Sequence, residues 1–253
     1  MRRSGVIAAL GLALSILMVG SGCGKSKQAS DRTSGQKKAE KEMKTAKGKA
    51  EPEKPPALAG TYTVDEPNSS VSFTSIKNGD LGVTGFFTDI GGEVQVDENV
   101  TDSSGELTVD LTTLSTGVKV RDKRVLKHFF EVVTGDDKAE GEGKSGESGT
   151  VRFTIDELKK IDGAELKKIG NPVRFDAVGE VAIHGTEKKQ TFHLEATRLD
   201  GDTIRVETFK PYVFSIEAFE MTKPLKKMME VCGHKDISDA VPIHIELRLT
   251  RAE

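Results

Sequence analysis

The sequence is poor in cysteine and has no uninterrupted apolar run long enough to cross a membrane. Its two cysteines are Cys23 and Cys232. A domain that holds only Cys232 has no internal disulfide, so its stability must come from an ordinary hydrophobic core, and we expect Cys232 to be a small buried hydrophobic residue. The apolar run from Val6 to Val19 is shorter than the roughly 20 residues of a membrane-spanning helix.

The motifs of common enzymes are also missing. The sequence contains no G-x-S-x-G, no H-E-x-x-H and no glycine-rich phosphate loop followed by lysine. Its histidines are dispersed, and the pair Cys232 and His234 supplies only two of the four donors of a closed zinc site. His193 and His244 lie opposite the apolar residues of their segments, as surface imidazoles do. We therefore expect a non-enzymatic protein with no metal site and no resident cofactor.

The charge is distributed unevenly along the chain. Residues 25–54 hold ten Lys/Arg, five Asp/Glu and almost no apolar side chain, so we expect a disordered tether. Its lysines could also touch anionic lipid head groups. Residues 55–253 hold 25 Lys/Arg and 35 Asp/Glu, and an acidic domain without a basic stripe argues against nucleic-acid binding.

The N-terminus has the layout of an export signal. Arg2 and Arg3 precede the apolar run, and small residues end at Cys23, which predicts a signal peptide over residues 1–22. The stretch "VGSGC" resembles the lipobox of bacterial lipoproteins, with Gly20 where leucine is usual. The resemblance implies that Cys23 is lipidated and anchors the protein in the bacterial cell envelope, facing the periplasm. Gly24, in place of an inner-membrane retention Asp, favours the outer membrane. We expect the lipidated Cys and tether over residues 23–58 and a folded domain over 59–253.

Within the folded domain, apolar and polar residues alternate in many short segments. Strict alternation predicts β-strands with one apolar and one wet face. Turn residues separate the segments at 78–80, 91–92, 103–105, 184–186 and 199–202. Short turns between such strands predict an antiparallel sandwich or an up-and-down barrel, and the single apolar face favours a barrel that encloses a small ligand. The alternating segments are residues 70–76, 92–97, 106–114, 150–156, 179–185, 190–197, 203–208 and 241–249.

Two segments break this rhythm. The stretch "VRDKRVLKHFFEV", residues 120–132, has an apolar stripe at helical spacing that predicts a short helix partly closing the mouth of the barrel. Asp122 lies near its start, where a carboxylate can accept hydrogen bonds from free N–H groups. Residues 219–231 show a second such stripe. The glycine-rich, charged residues 134–149 are predicted to form a surface insertion. The stripes comprise Val125, Leu126, Phe129 and Phe130, and Leu225, Met228 and Met229.

These segments together resemble a known family. "YTVDEPNSSVSF", "GVTGFFTDIGGEVQVD", "LSTGVKVRDKRVLKHFFEV", "VRFTID", "VGEVAIHG" and "QTFHLEA" occur in the order found in YceI-like proteins, which are exported bacterial polyisoprenoid-binding proteins. The resemblance runs from about Gly60 to the C-terminus. It implies an all-β fold, an eight-stranded antiparallel lipocalin-like barrel with one or two short helices. This chain departs from the family in having Asn68 and Lys77 where histidine is frequent, and Glu131 after the paired phenylalanines.

Two functions follow as alternatives. In the first, the lipid-anchored barrel carries or stores a polyprenyl lipid, a quinone or another long apolar molecule, and Arg121 contacts its head group. In the second, the barrel is packed solid and the protein is a structural lipoprotein with protein partners at its loops. The oligomeric state stays open, with a dimer as one option. The residues expected to line the ligand are Phe73, Phe87, Leu107, Val109, Leu111, Leu126, Phe129, Phe130, Val181, Ile183, Phe192 and Leu194.

Overall fold

The strands form one antiparallel meander. The computed structural model describes residues 57–132 and 149–252, so the predicted signal peptide, Cys23, nearly all of the tether and most of the 134–149 insertion lie outside the described residues. The strands are β1 (Gly60–Val64), β2 (Ser70–Lys77), β3 (Leu81–Phe87), β4 (Ile90–Val96), β5 (Ser104–Asp110), β6 (Thr150–Lys159), β7 (Pro172–Ile183), β8 (Thr186–Arg198), β9 (Thr203–Thr208), β10 (Tyr212–Ser215) and β11 (Ala240–Arg251).

The meander closes on itself through the long strand β11. On one side β11 pairs with β1 and β2, as in the pair Ile243 and Phe73. On its other side it pairs with β9 and β10, as in the pair Leu247 and Val206. Because β1 runs on into β2, β3 into β4 and β9 into β10, the eleven segments make eight barrel strands. The predicted closed eight-stranded antiparallel barrel is confirmed.

Glycines explain one correct turn prediction and one wrong one. His184 and Gly185 join β7 to β8 with positive φ angles of 57° and 78°, the two-residue hairpin geometry that glycine favours. Gly91 and Gly92 were predicted to form a turn, but they lie inside β4. A Cβ on Gly92 would stand 2.2 Å from the carbonyl oxygen of Glu106, so this glycine permits close contact between β4 and β5.

Three short α-helices lie within the described residues: α1 (Lys119–His128), α2 (Gly163–Leu166) and α3 (Thr222–Cys232). α1 and α3 fall within the two segments that the apolar stripes predicted. α3 ends at Gly233, which adopts the left-handed conformation with φ 66° and thereby stops the helix. Asp122 does not cap the first turn of α1; its carboxylate accepts a hydrogen bond of 3.0 Å from the backbone N–H of Thr116. Among the described residues, no helix has the length and apolarity needed to cross a membrane.

One end of the barrel is packed tightly. Tyr62 is fully buried, and its hydroxyl donates to the carbonyl oxygen of Leu58 at 2.9 Å. Leu58 is itself buried. Arg198 is also buried, and its guanidinium donates to the carbonyl oxygens of Asp200 and Gly201, both at 2.9 Å. Buried, hydrogen-bonded side chains therefore fill this end of the barrel. Any space for a ligand must lie at the other end.

Candidate ligand-binding site

The other end of the barrel encloses an apolar cavity of about 240 Å³. Inward side chains of β2, β5, β7, β8 and β11 form its wall, because alternate residues of a barrel strand face the interior. Val125 of α1, Phe129 directly after α1, and Leu225 and Met228 of α3 also line it. The two helices thus contribute directly to the wall, as expected for the first of them. An interior with this void is not packed solid.

Most residues predicted to contact a ligand border this cavity. Those that do are Phe73, Phe87, Leu107, Val109, Leu111, Phe129, Phe130, Val181, Ile183, Phe192 and Leu194. Leu126 does not line it. It is buried in the surrounding core, because it stands about a quarter of a helical turn from Val125. Whether the lining residues touch a ligand stays a prediction.

Aromatic rings make up much of the wall. Phe87 lies between Phe73 and Phe130, with ring centroids 5.6 Å and 6.1 Å away, and Phe130 meets Phe129 edge-on at 4.9 Å. A second group joins Phe153, Phe192 and Tyr212, with successive centroids at 4.8 Å and 4.6 Å. Burial raises the pKa of the Tyr212 phenol to about 12. Such walls offer dispersion contacts and ring edges to an apolar guest.

Sequence reasoning missed several lining residues. Tyr212 and Phe214 lie on β10, whose four residues are too few for a clear alternation. Leu225 and Met228 were recognised as a helical stripe but were not assigned to the site. Lys77 continues the inward face of Phe73 by two steps of two residues, so the strand period could have placed it.

Few polar side chains line the cavity, and two of them, Lys77 and Arg121, are charged. It comprises Ser75, Lys77, Thr116 and Arg121, together with the Tyr212 hydroxyl. Lys77 ends β2 and is only 8% exposed. Its burial, with Arg121 nearby, lowers the pKa of its ammonium group. The predicted head-group residue Arg121 therefore borders the cavity beside a second cation.

Hydrogen bonds fix the orientation of Arg121. Its Nε donates to the hydroxyl of Thr116 and one of its terminal nitrogens donates to the Thr116 carbonyl, both at 2.7 Å. The Thr116 hydroxyl in turn donates to Asp122. Asp122 thus holds Thr116, and Thr116 holds the guanidinium at the edge of the cavity.

The remaining polar side chains that the structure describes mostly have local partners. No group of three His, Cys, Asp or Glu side chains suited to a metal occurs in residues 57–132 and 149–252. His193 contacts Asp176 at 2.6 Å and His244 contacts the Thr208 hydroxyl at 2.5 Å, so both imidazoles have local partners. Cys232 is partly exposed rather than fully buried, with its sulfur 3.9 Å from that of Met228.

Comparison with known proteins identifies the barrel. A polyisoprenoid-binding domain from Saccharophagus degradans, implicated in plant cell wall breakdown, has a similar structure, with a TM-score of 0.61 at 20% identity over 76% of this chain and 98% of that one. BcnA from Burkholderia cenocepacia has a TM-score of 0.51 at 20% identity over 73% and 98%. No curated protein matches the chain. The YceI-like domain matches residues 62–249, and the chain therefore belongs to the YceI-like family.

Proposed function

We propose that the barrel binds a polyisoprenoid or a similarly long apolar molecule and acts as its carrier or reservoir, without catalysing a reaction on it. The observation that carries this proposal is the apolar cavity of about 240 Å³ at one end of an otherwise well-packed barrel. Membership of the YceI-like family and the fold shared with a polyisoprenoid-binding domain support it.

The energetic cost of the void supports an occupant. At about 24 cal/mol per Å³ of cavity, an empty space of about 240 Å³ would destabilise the fold by about 6 kcal/mol. Whole domains are stable by only about 5–15 kcal/mol. A bound apolar chain would restore the missing contacts, so the ligand-bound protein should be markedly more stable.

We further propose that the protein works at a membrane surface. The predicted signal peptide and the lipobox-like "VGSGC" support acylation of Cys23, which would anchor the protein to a membrane. The proposed location is the periplasmic side of the bacterial envelope, at the outer membrane. A lipid carrier placed there could exchange its ligand directly with the bilayer.

Uptake of a fluorescent polyprenyl probe by delipidated protein tests the proposal. We expect saturable binding, competition by an unlabelled polyprenol or a quinone, and loss of binding when a cavity-lining position is filled. A protein that takes up no probe after delipidation and remains fully stable would instead support the solid-barrel, structural alternative.

A further inference from the structure

The charged groups of the cavity lie together at one end. The apolar wall is interrupted chiefly by Ser75 and Lys77 at the end of β2 and by Thr116 and Arg121 at the start of α1. No carboxylate is among the residues lining the cavity. A guest with an apolar tail would therefore meet a polar, cationic patch only at this end.

Lys77 is costly for the fold without an anionic partner. Its side chain is more than nine-tenths buried, and its one polar contact in the described residues is with Nε2 of His234 at 3.4 Å. Burial, with Lys77 nearby, lowers the pKa of His234. Because an ammonium group has only donors, Nε2 of His234 can only accept a hydrogen bond from Lys77 and brings no negative charge. A buried cation normally requires an ion pair. No carboxylate among the described residues forms one with Lys77.

Arg121 is similarly placed to receive an anion. Thr116 accepts from Nε and from one terminal nitrogen, whereas no acceptor among residues 57–132 and 149–252 contacts the other terminal nitrogen, Nη1. The nearby carboxylate of Asp122 is engaged by the N–H and hydroxyl of Thr116. The guanidinium is thus oriented, but its charge is not neutralised by a direct ion pair in this part of the chain.

We propose that Lys77 and Arg121 bind the phosphate head group of an amphiphilic ligand whose tail occupies the cavity. This inference rests on the proposed function and narrows its ligand class to polyprenyl-type phosphates. A phosphate monoester carries a charge of about −1.5 to −2 at neutral pH, which matches two cations. Lysine and arginine both bind phosphate through charge-assisted hydrogen bonds, and the Ser75 hydroxyl lies on the same strand face to donate a further one.

The test compares two probes of equal tail length, geranylgeranyl phosphate and geranylgeraniol, on the delipidated full-length protein. We expect the phosphate to bind about 10- to 100-fold more tightly, the range typical of charged hydrogen bonds. Lys77→Met and Arg121→Gln should remove this preference, because each weakens binding of the charged phosphate far more than binding of the neutral alcohol. Lys77→Arg should retain the preference, and Lys119→Met, an exposed cation of α1, is the matched control.

The outcomes separate the two proposals. Equal binding of both probes, unaffected by Lys77→Met, would overturn the phosphate site and leave the carrier function intact. Binding of neither probe would overturn the carrier function itself. Thermal unfolding gives a second readout: because Lys77→Met removes a buried charge, the ligand-free variant should melt at or above the wild-type temperature. A lower melting temperature would identify Lys77 as a structural residue and contradict the proposal.

Discussion

Filling the cavity distinguishes a hollow barrel from a solid one. Val181 of β7 lines the void, whereas Val206 of β9 is similarly buried but does not line it. In a filled core, a valine-to-phenylalanine change forces neighbours apart and costs about 1–3 kcal/mol. We expect this cost for Val206→Phe, because Val206 is buried and does not border the cavity.

Val181→Phe should behave differently because its larger ring enters existing space. Each Å³ filled recovers about 24 cal/mol of the cavity cost, so the free energy of unfolding of ligand-free protein should stay within about 1 kcal/mol of wild type or rise. Urea unfolding of both delipidated variants measures this, and polyprenyl-probe titration should show reduced uptake by Val181→Phe alone. Equal losses of about 1–3 kcal/mol in both variants would refute the hollow interior.

Three further predictions concern the same end of the molecule and its tyrosines. Phe130→Ala, beside the void, should lower the free energy of unfolding by less than Phe219→Ala, which is buried outside the cavity lining and should cost about 3–5 kcal/mol; a larger loss for Phe130→Ala would contradict the cavity. Burial raises the pKa of both Tyr62 and Tyr212, that of Tyr212 to about 12, so absorbance titration at about pH 10 should show less phenolate in the folded protein than in the urea-unfolded protein. Burial, with Lys227 nearby, lowers the pKa of His128. The unfolded state therefore binds more protons below about pH 6.5, and the free energy of unfolding falls as the pH is lowered. His128→Gln should lessen that fall, measured by urea unfolding at about pH 7.5 and 5.5, and an unchanged fall would exclude His128 as its source.

Strand identity was predictable because it depends on local alternation. Apolar residues at every second position predicted β2, through Val71 and Phe73, and β5, through Leu107 and Val109. A half-buried strand needs this alternation of apolar and polar side chains whatever its partner strands are. The turn predicted at Gly91 and Gly92 was wrong because glycine is favoured both in turns and where two strands come into close contact. Only the close approach of the Glu106 carbonyl oxygen on the neighbouring strand shows that Gly92 serves a strand contact and not a turn.

The size and the exact boundary of the cavity could not be predicted from the sequence. The residues around it are ordinary core residues, and a void depends on how the volumes of all facing side chains add up. Leu126 and Phe129 share one helical stripe, yet Phe129 borders the space and Leu126 does not. The sequence likewise does not show that Lys77 and Arg121 border the same cavity, because the end of β2 comes near the start of α1 only in the closed barrel.

Native mass spectrometry of the protein purified without added lipid tests the central claim most directly. The account predicts a population heavier than the polypeptide by the mass of one long-chain lipid, which organic extraction removes and isolates for identification. A spectrum that shows the unliganded mass alone, from a protein that is stable in that state and does not take up a polyprenyl probe, would contradict it.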